Sequence, residues 1–298
     1  MNFHLSSLGE VLAPAKVNLH LQVTGLLPDG RHTLETSFAF VDVYDTLYVQ
    51  RAGELTVDCS VEALSGEANL VYRVLQALRE KYRVQQGLRV FIEKRLPAEA
   101  GLGGGSSDAA SALLAANEVW QLNLTQDQLI GFSAPFGADI PCFLFARASV
   151  AHGVGEKLSV YTDSFPGSYV CLARPKHGLS TKAVFQHFDR QQERTLTMRR
   201  CADKVRPASQ GYVPIGSNDL EVSAIALLPD VAMMLRAMRC QVSDAWMSGS
   251  GSTCLALCSS KSEAGLLAQR LQDDGLASWT HAGELLDTHP AFAANIGA

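Results

Sequence analysis

Apolar and polar side chains alternate in the first part of the chain, and this pattern predicts strands. The alternation over residues 17–23 is typical of a half-buried strand. Pro28-Asp29-Gly30 predicts a turn, and residues 36–50 then form a second strand that we expect to break at 42–45. Residues 88–93 alternate in the same way and form a third predicted strand.

Apolar residues spaced three and four apart predict the helices. Asn69 can cap a helix that continues to about residue 82. Another helix is predicted after residue 108, with an apolar stripe formed by Ala109, Leu113, Ala116 and Trp120. Two shorter helices are predicted near 219–228 and 230–238, and a closing helix over about 262–273.

The middle of the chain contains the predicted domain boundary. The turn and loop residues of 163–167 separate an N-terminal domain, residues 1–165, from a C-terminal domain, residues 166–298. A strand is expected at 169–173. Residues 189–216 lack clear periodicity, so we expect a mobile connecting segment there.

Composition and charge narrow the class of protein. The chain has 298 residues, of which 47% are hydrophobic and 18% charged, and these values suit a well-buried globular protein of about two domains. The net charge of −5 provides no overall attraction to nucleic acid. No apolar run approaches the ~20 residues of a membrane span, and the first residues do not resemble a signal peptide. We therefore expect a cytoplasmic protein without a membrane or nucleic-acid partner.

The seven cysteines are scattered and contain no C-x-x-C motif, which is typical of reduced, cytosolic proteins. Cys254 and Cys258 flank the apolar residues 255–257, so we interpret them as strand core rather than as metal ligands.

The most distinctive motif is a glycine-rich run at residues 97–107, called here the glycine loop. Four glycines fall within residues 101–105, and Ser106 and Ser107 follow them. Glycine lets bare backbone N–H groups approach an anion, and the next helix adds unpaired N–H groups and the positive end of its dipole. The glycine loop therefore predicts a phosphate-binding site.

Other glycine-rich motifs do not match this run. No G-x-x-x-x-G-K-[ST] sequence occurs, which excludes a P-loop. Asp108 stands where the dinucleotide fingerprint has Gly or Ala, and no H-R-D or D-F-G motif of a protein kinase follows. A plain turn before a helix stays open as the alternative.

Three further features bear on the chemistry. Residues 248–253, called here the serine loop, offer N–H groups and hydroxyls for a second wall of the phosphate site, although a flexible turn is the alternative. Lys16 begins an apolar strand, where an exposed strand-end lysine is the ordinary interpretation. Asp139 precedes an apolar run, where it could merely cap a turn. If the fold brings Lys16 and Asp139 together, they supply the cation and base that phosphoryl transfer to an alcohol needs.

These motifs together resemble the small-molecule kinases of the GHMP superfamily, named for galactokinase and for homoserine, mevalonate and phosphomevalonate kinases. The matching stretches follow the family's order and span nearly the whole chain; they are 14–19, 29–32, 96–110, 137–141, 153–156, 218–221 and 248–253. The resemblance implies an α+β, two-domain GHMP kinase fold. Its N-terminal domain is ribosomal-S5-domain-2-like and its C-terminal domain ferredoxin-like, with the active site between them.

Residues 29–32 are similar to the piece with which some family members recognise cytidine. The resemblance therefore implies ATP-dependent phosphorylation, with Mg²⁺, of the 2-hydroxyl of 4-diphosphocytidyl-2-C-methyl-D-erythritol in non-mevalonate isoprenoid precursor biosynthesis. The alternative within the class is a homoserine or mevalonate type of kinase. Residues 29–32 argue against that type and against a mevalonate-diphosphate decarboxylase, and the presence of Lys16 and Asp139 argues against a non-catalytic regulator. We expect a monomer or weak homodimer.

The resemblance also implies roles for individual residues. Asp139 would be the base toward the substrate hydroxyl, and Lys16 would orient Asp139 and offset negative charge. The residues implied to contact the substrate are Asn18, His32, Thr181 and Phe185, with His32 at the cytosine edge and Phe185 stacked on the base. Asn69 and Lys94 would lie near the adenine. The ATP phosphates would bind to Pro97, Ala98, Glu99, Ala100, Gly101, Leu102, Gly103, Gly104, Gly105, Ser106 and Ser107, and Ser107 is the candidate metal ligand.

Two residues depart from the family pattern. Arg31 stands where an aromatic residue is usual, although a guanidinium plane can also stack on a base. Glu99 replaces a residue that is usually Gly or another uncharged one. Because a carboxylate would repel a triphosphate, we expect Glu99 to point away from it or toward a cation.

Overall fold

Eleven strands and nine α-helices form the described part of the chain. The structure is a computed structural model that describes residues 9–162, 165, 169–199 and 215–293, without the side chains of 192–199 and 293. The strands are β1 Glu10–Leu26, β2 His32–Ala52, β3 Thr56–Cys59, β4 Gly87–Glu93, β5 Ser149–His152, β6 Lys157–Val160, β7 Tyr169–Arg174, β8 Ser217–Asn218, β9 Ala245–Met247, β10 Cys254–Cys258 and β11 Trp279–Leu286. The helices are α1 Leu70–Lys81, α2 Gly104–Val119, α3 Gln126–Ser133, α4 Ile140–Phe145, α5 Thr181–Arg199, α6 Glu221–Leu227, α7 Pro229–Arg239, α8 Lys261–Asp273 and α9 Pro290–Ala293.

A long antiparallel pair, β1 and β2, forms the centre of the N-terminal part. The predicted turn at Pro28-Asp29-Gly30 joins the two strands, and Gly30 adopts φ +84°, which favours glycine. The predicted break at 42–45 is wrong, because β2 continues through it and only shifts register, opposite Pro14 and Ala15. A bulge changes which residues of the two strands face each other, but it does not end the strand.

Helices α1 and α2 cover this sheet. Asn69 caps α1 as predicted, because its Oδ1 accepts a hydrogen bond of 2.8 Å from the Val71 N–H. In α2 every residue from 107 to 116 is buried, so the helix is enclosed on more sides than the single predicted stripe. Its alanines and serines allow neighbouring elements to approach closely from several directions.

The C-terminal part is a second sheet with helices α7 and α8 packed against it. Strand β7 lies between β10 and β11, and β9 pairs with the other side of β10. Strand β11 also continues the first sheet, since Leu285 and Leu286 pair with Val41 and Phe40 of β2. The two sheets therefore meet at the centre of β2.

Several predicted elements are confirmed and others are corrected. The strands at 88–93 and 169–173, the helices at 219–228 and 230–238, and the core positions of Cys254 and Cys258 are confirmed. The predicted connecting segment at 189–216 is wrong for its first part, because α5 continues to Arg199; residues 200–214 lie outside the described residues.

Among the elements that the sequence pattern did not predict are β3, α3, α4 and β11. Helix α3 had a readable signal, because Thr125 and Gln128 form a capping box. The helix at 262–273 is present but does not close the fold, since β11 follows it. The boundary at residues 163–167 stays a prediction, because only Phe165 of this stretch is described.

Within the described residues, no helix is long and apolar enough to cross a membrane.

Candidate active site

A cavity of about 700 Å³ gathers most of the residues singled out in the sequence. The glycine loop up to Ser106, the strand residues Lys16 and Asn18, and Asp139 line it. The serine loop and the first turns of α5 complete the wall. A second cavity of about 940 Å³ adjoins it and contains Arg31 and His32. The two cavities share the lining residues Leu34, Ala138, Val154 and Phe185.

The glycine loop turns directly into helix α2. Gly103 adopts φ +71° as the N-cap, so α2 begins at Gly104, inside the glycine run rather than after it. The first intrahelical bond runs from the Ser107 N–H to the Gly103 carbonyl, at 2.8 Å. The N–H groups of residues 104–106 therefore have no acceptor within the helix, and they border the cavity. Unpaired N–H groups at the start of a helix are the type of group that binds anions.

The glycine loop is packed against the serine loop. Gly101 adopts φ +74°, and a Cβ there would collide with the Ser248 carbonyl oxygen. The Ser248 hydroxyl donates to the Gly101 carbonyl at 3.2 Å, and the Thr253 N–H donates to the Ala100 carbonyl at 3.2 Å. The serine loop is therefore a wall of the cavity, which overturns its alternative as a free turn.

Lys16 lies inside the cavity beside Asp139. Its Nζ is 3.6 Å from Asp139 Oδ2 and donates to Asn18 Oδ1 at 2.7 Å. The Lys16 side chain is only 4% exposed, so the exposed strand-end alternative is wrong. Asn18 is held in turn by Thr36, whose hydroxyl oxygen accepts from Asn18 Nδ2 at 2.8 Å. Strand β1 thus presents its polar face to the cavity rather than to solvent.

Asp139 precedes helix α4 but does not cap it. Its side chain makes no capping hydrogen bond, so the turn-cap alternative is wrong. The Asp139 carboxylate is 40% exposed and lines the cavity, within reach of a bound molecule. A carboxylate fixed beside a buried ammonium can accept a proton from a substrate hydroxyl.

Lys94 meets two buried carboxylates at the floor of the glycine loop. Its Nζ donates to Asp45 Oδ2 and, at 2.7 Å, to Asp108 Oδ2. Burial raises the pKa of Asp108 to about 7, although Lys94 opposes the shift. Neither aspartate was given a role from the sequence. For Asp108 the available signal was an acidic residue among the glycines, serines and alanines of α2.

Asn69 also lines the cavity, but its side chain serves helix α1. Its Oδ1 accepts from Val71 and its Nδ2 donates to the Leu64 carbonyl at 2.6 Å. Both polar atoms of the side chain are therefore already engaged in local structure.

His32 contacts three side chains on one face of helix α5. Its ring stacks on Phe185, with centroids 4.5 Å apart, and meets Phe188 edge-on at 6.5 Å. Its Nε2 lies 2.7 Å from Asp189 Oδ1, a partner that the sequence analysis missed. The structure brings the predicted His32 and Phe185 together, and the Phe185 face toward His32 is already covered.

Arg31 lines the second cavity and Thr181 lines the first. The Arg31 guanidinium is 63% exposed and pairs with Asp29, with Nη2 at 2.7 Å from Oδ2. The Thr181 hydroxyl lies 2.8 Å from that of Ser250, which connects α5 to the serine loop.

The chain matches the family model of the GHMP kinases N terminal domain over residues 69–147 and that of the GHMP kinases C terminal domain over 210–276. A Paraburkholderia phymatum protein named 4-diphosphocytidyl-2-C-methyl-D-erythritol kinase is 35% identical over 96% of this chain and 97% of its own length. A solved 4-(cytidine 5'-diphospho)-2C-methyl-D-erythritol kinase has TM-score 0.75 and 31% identity, over 93% of this chain and 98% of that chain.

More distant structures share the fold alone. An L. major mevalonate kinase has TM-score 0.68 at 15% identity, over 96% of this chain and 99% of its own. The predicted α+β, two-domain GHMP kinase fold is confirmed by the two family models and by the solved relative. The chain belongs to the 4-diphosphocytidyl-2-C-methyl-D-erythritol kinase family within the GHMP kinases and is a small-molecule kinase.

Proposed function

We propose that the protein transfers the γ-phosphoryl group of ATP to the 2-hydroxyl of 4-diphosphocytidyl-2-C-methyl-D-erythritol, in isoprenoid precursor biosynthesis. The names of its relatives support this substrate. The observation that carries the proposal is the Lys16–Asp139 pair at 3.6 Å, in a cavity walled by the glycine and serine loops. Phosphoryl transfer needs positioning and charge stabilisation above all, and this arrangement offers both.

In this proposal Asp139 is the base. Its exposed carboxylate accepts the proton of the attacking hydroxyl, and the oxygen then attacks the γ-phosphorus as the bond to ADP breaks. Lys16 orients Asp139 and offsets the charge that develops on the phosphoryl group. Asn18 accepts a hydrogen bond from the Lys16 ammonium and lines the cavity, which supports its role in substrate binding.

The ATP phosphates bind along the glycine loop, Pro97–Ser107. The N–H groups at the start of α2, and the absence of side chains at Gly103, Gly104 and Gly105, support this placement. Asn69 and Lys94 border the same cavity, and we place the adenine end of ATP on their side.

Mg²⁺ fits the chemistry of the site, although the described residues contain no group of three or more His, Cys, Asp or Glu that could hold a metal ion. In kinases this ion is held largely by the phosphates and one or two protein oxygens. The Ser107 hydroxyl is buried without a hydrogen-bond partner, which supports it as such an oxygen. When bound, the ion would neutralise charge on the phosphates.

The cytidine end of the substrate belongs to the second cavity. His32 and Phe185 line this cavity, and Thr181 lines the adjoining first cavity, which supports their roles as substrate-binding residues. Because His32 and Phe185 already stack on each other, we propose that the base occupies the uncovered face of Phe185 or displaces His32 from it.

Three further proposals concern the domains, the location and the oligomeric state of the protein. We propose a division into domains at residues 165 and 166, a cytoplasmic location, and a monomer or weak homodimer that acts without a nucleic-acid partner. Size-exclusion chromatography with light scattering measures the oligomeric state directly.

The function is tested by measuring ADP release with the diphosphocytidyl substrate, homoserine and mevalonate in parallel. We expect turnover with the first compound and none above background with the other two. Turnover with only homoserine or mevalonate would overturn the proposed substrate.

A further inference from the structure

The two ends of the glycine loop are joined by an ion pair at its base. Lys94 follows β4 and precedes the loop, and Asp108 lies in the first turns of α2, just after it. The Lys94 Nζ is 2.7 Å from Asp108 Oδ2. The chain segment 95–107 is therefore closed into a ring by one side-chain contact.

Asp45 of β2 completes this closure. Its Oδ2 accepts from Lys94, and its Oδ1 accepts from the backbone N–H groups of Arg95 and Leu96 at 2.6 and 2.8 Å. The same carboxylate thus binds the cation and holds the backbone where the chain enters the glycine loop. We call Asp45, Lys94 and Asp108 the loop-base triad.

The loop-base triad is almost completely buried. The side chains of Asp45, Lys94 and Asp108 are 0%, 8% and 5% exposed. A buried charge is costly unless it is paired. Removal of any one of these side chains would therefore leave a buried charge without its full set of partners. Two of the three N–H donors of the Lys94 ammonium are engaged by these carboxylates, so its positive charge is offset within the protein.

The loop-base triad lies directly under the anion-binding end of α2. A Cβ added to Gly104, the first residue of α2, would lie 3.4 Å from Lys94 Nζ and 3.5 Å from Asp45 Oδ2. Gly104 carries one of the backbone N–H groups that have no acceptor in the helix. The first residue of α2 therefore packs close to the triad, with space for no more than a small side chain between them.

We infer that Asp45, Lys94 and Asp108 are positioning residues that hold the glycine loop in the shape that binds the ATP phosphates, and that Lys94 acts through the loop rather than by contact with the adenine. The inference rests on the proposed function only in taking the ligand of the glycine loop to be ATP. Lys94 therefore supports the glycine loop, whereas the other cavity residues with proposed roles contact the ligands directly.

The test compares nucleotides with and without phosphates. Binding of ATP, ADP and adenosine to the full chain is measured by isothermal titration calorimetry, without the acceptor substrate, for wild type, Lys94→Met and Asp108→Asn. Lys261→Met, which removes an exposed lysine at the start of α8, is the matched control. We expect Lys94→Met to weaken ATP and ADP binding tenfold or more, with adenosine binding changed less than twofold.

Asp108→Asn should act in the same direction but more weakly, because the Lys94–Asp45 pair remains. It also keeps the inference testable if Lys94→Met does not fold, as judged by circular dichroism. Equal loss of adenosine and ATP binding would overturn the inference in favour of direct base contact. Unchanged ATP affinity in every one of these variants that folds would also overturn it. Wild-type protein that binds ATP without phosphorylating the diphosphocytidyl substrate would instead refute the proposed acceptor and leave this inference standing.

Discussion

Lys16 and Asp139 face each other across the cavity, with Nζ 3.6 Å from Oδ2, although they come from distant parts of the chain. Lys16 reaches this position from the inner face of β1, and its ammonium is also bound by Asn18 at 2.7 Å. Asp139 stands at the start of α4 with its carboxylate open to the cavity. The lysine is therefore fixed by the protein, whereas the aspartate keeps room for a substrate hydroxyl.

The first prediction concerns Asp139 as the base. Asp139→Asn should lower kcat by about 10²- to 10⁴-fold, because the amide cannot accept the hydroxyl proton. ATP affinity should stay within a few-fold, since the glycine loop is unchanged. Asp127→Asn, at an exposed position in the first turn of α3, is the control and should retain activity. Unchanged kcat in Asp139→Asn would remove it as the base.

The second prediction concerns Glu99 in the glycine loop. Glu99 has φ +51° and an exposed side chain, so Glu99→Gly should relieve about 1 kcal/mol of backbone strain, partly offset by the freedom of glycine in the unfolded chain. Removing the carboxylate from the cavity wall should also lower KM for ATP, roughly two- to fivefold, through reduced charge repulsion.

Gln121→Gly is the matched control for Glu99→Gly. Gln121 has φ +54° and is exposed outside the cavity, so its change should alter the free energy of unfolding in urea similarly but leave KM for ATP unchanged. An unchanged or higher KM for ATP in Glu99→Gly would mean that the carboxylate does not repel the phosphates.

The third prediction concerns Arg31. We expect Arg31→Ala to raise KM for the diphosphocytidyl substrate several-fold with little effect on kcat, because Arg31 borders the second cavity beside His32. Arg95→Ala is a close control, since Arg95 is 62% exposed and pairs with an acid two residues away, as Arg31 does. If both variants match wild type, Arg31 does not face the base.

The fourth prediction concerns the pH dependence of stability. His289 is fully buried, and burial lowers its pKa to about 3, so it is neutral in the folded protein. In the unfolded chain its pKa is about 6.5. The unfolded state therefore binds the proton first as the pH falls, and the stability due to this group is complete above pH 6.5 and decreases toward pH 3.

This difference should cost about 2 kcal/mol of unfolding free energy between pH 8 and pH 5, measured by urea denaturation. In His289→Gln the loss of unfolding free energy between pH 8 and pH 5 should be smaller than in wild type by about 2 kcal/mol, whatever the variant's stability at pH 8. His177→Gln, at a side chain that is 67% exposed, should keep the wild-type slope. An identical slope in His289→Gln and wild type would contradict the prediction.

Local chemistry explains the parts of the fold that could be predicted. The cap at Asn69, the turn at residues 28–30 and the alternation of β4 all depend on near neighbours in the chain, and each is confirmed. Strand β11 was missed because its place depends on pairing with β7 and β2, which are distant in sequence. Helix α5 extends into the segment that begins at residue 189. The apolar residues of this segment have no helical spacing, so the sequence did not predict a helix there.

The sequence by itself determined the family, the presence of a glycine-rich run of the kind that binds anions, and the residue types that phosphoryl transfer needs. These features follow from motif order and from the backbone freedom of glycine. Only the tertiary structure decided that Lys16 is buried beside Asp139, that the serine loop lies against Gly101, and that Lys94 pairs with two buried carboxylates. The physical reason is that charge pairing and burial depend on which distant elements pack together.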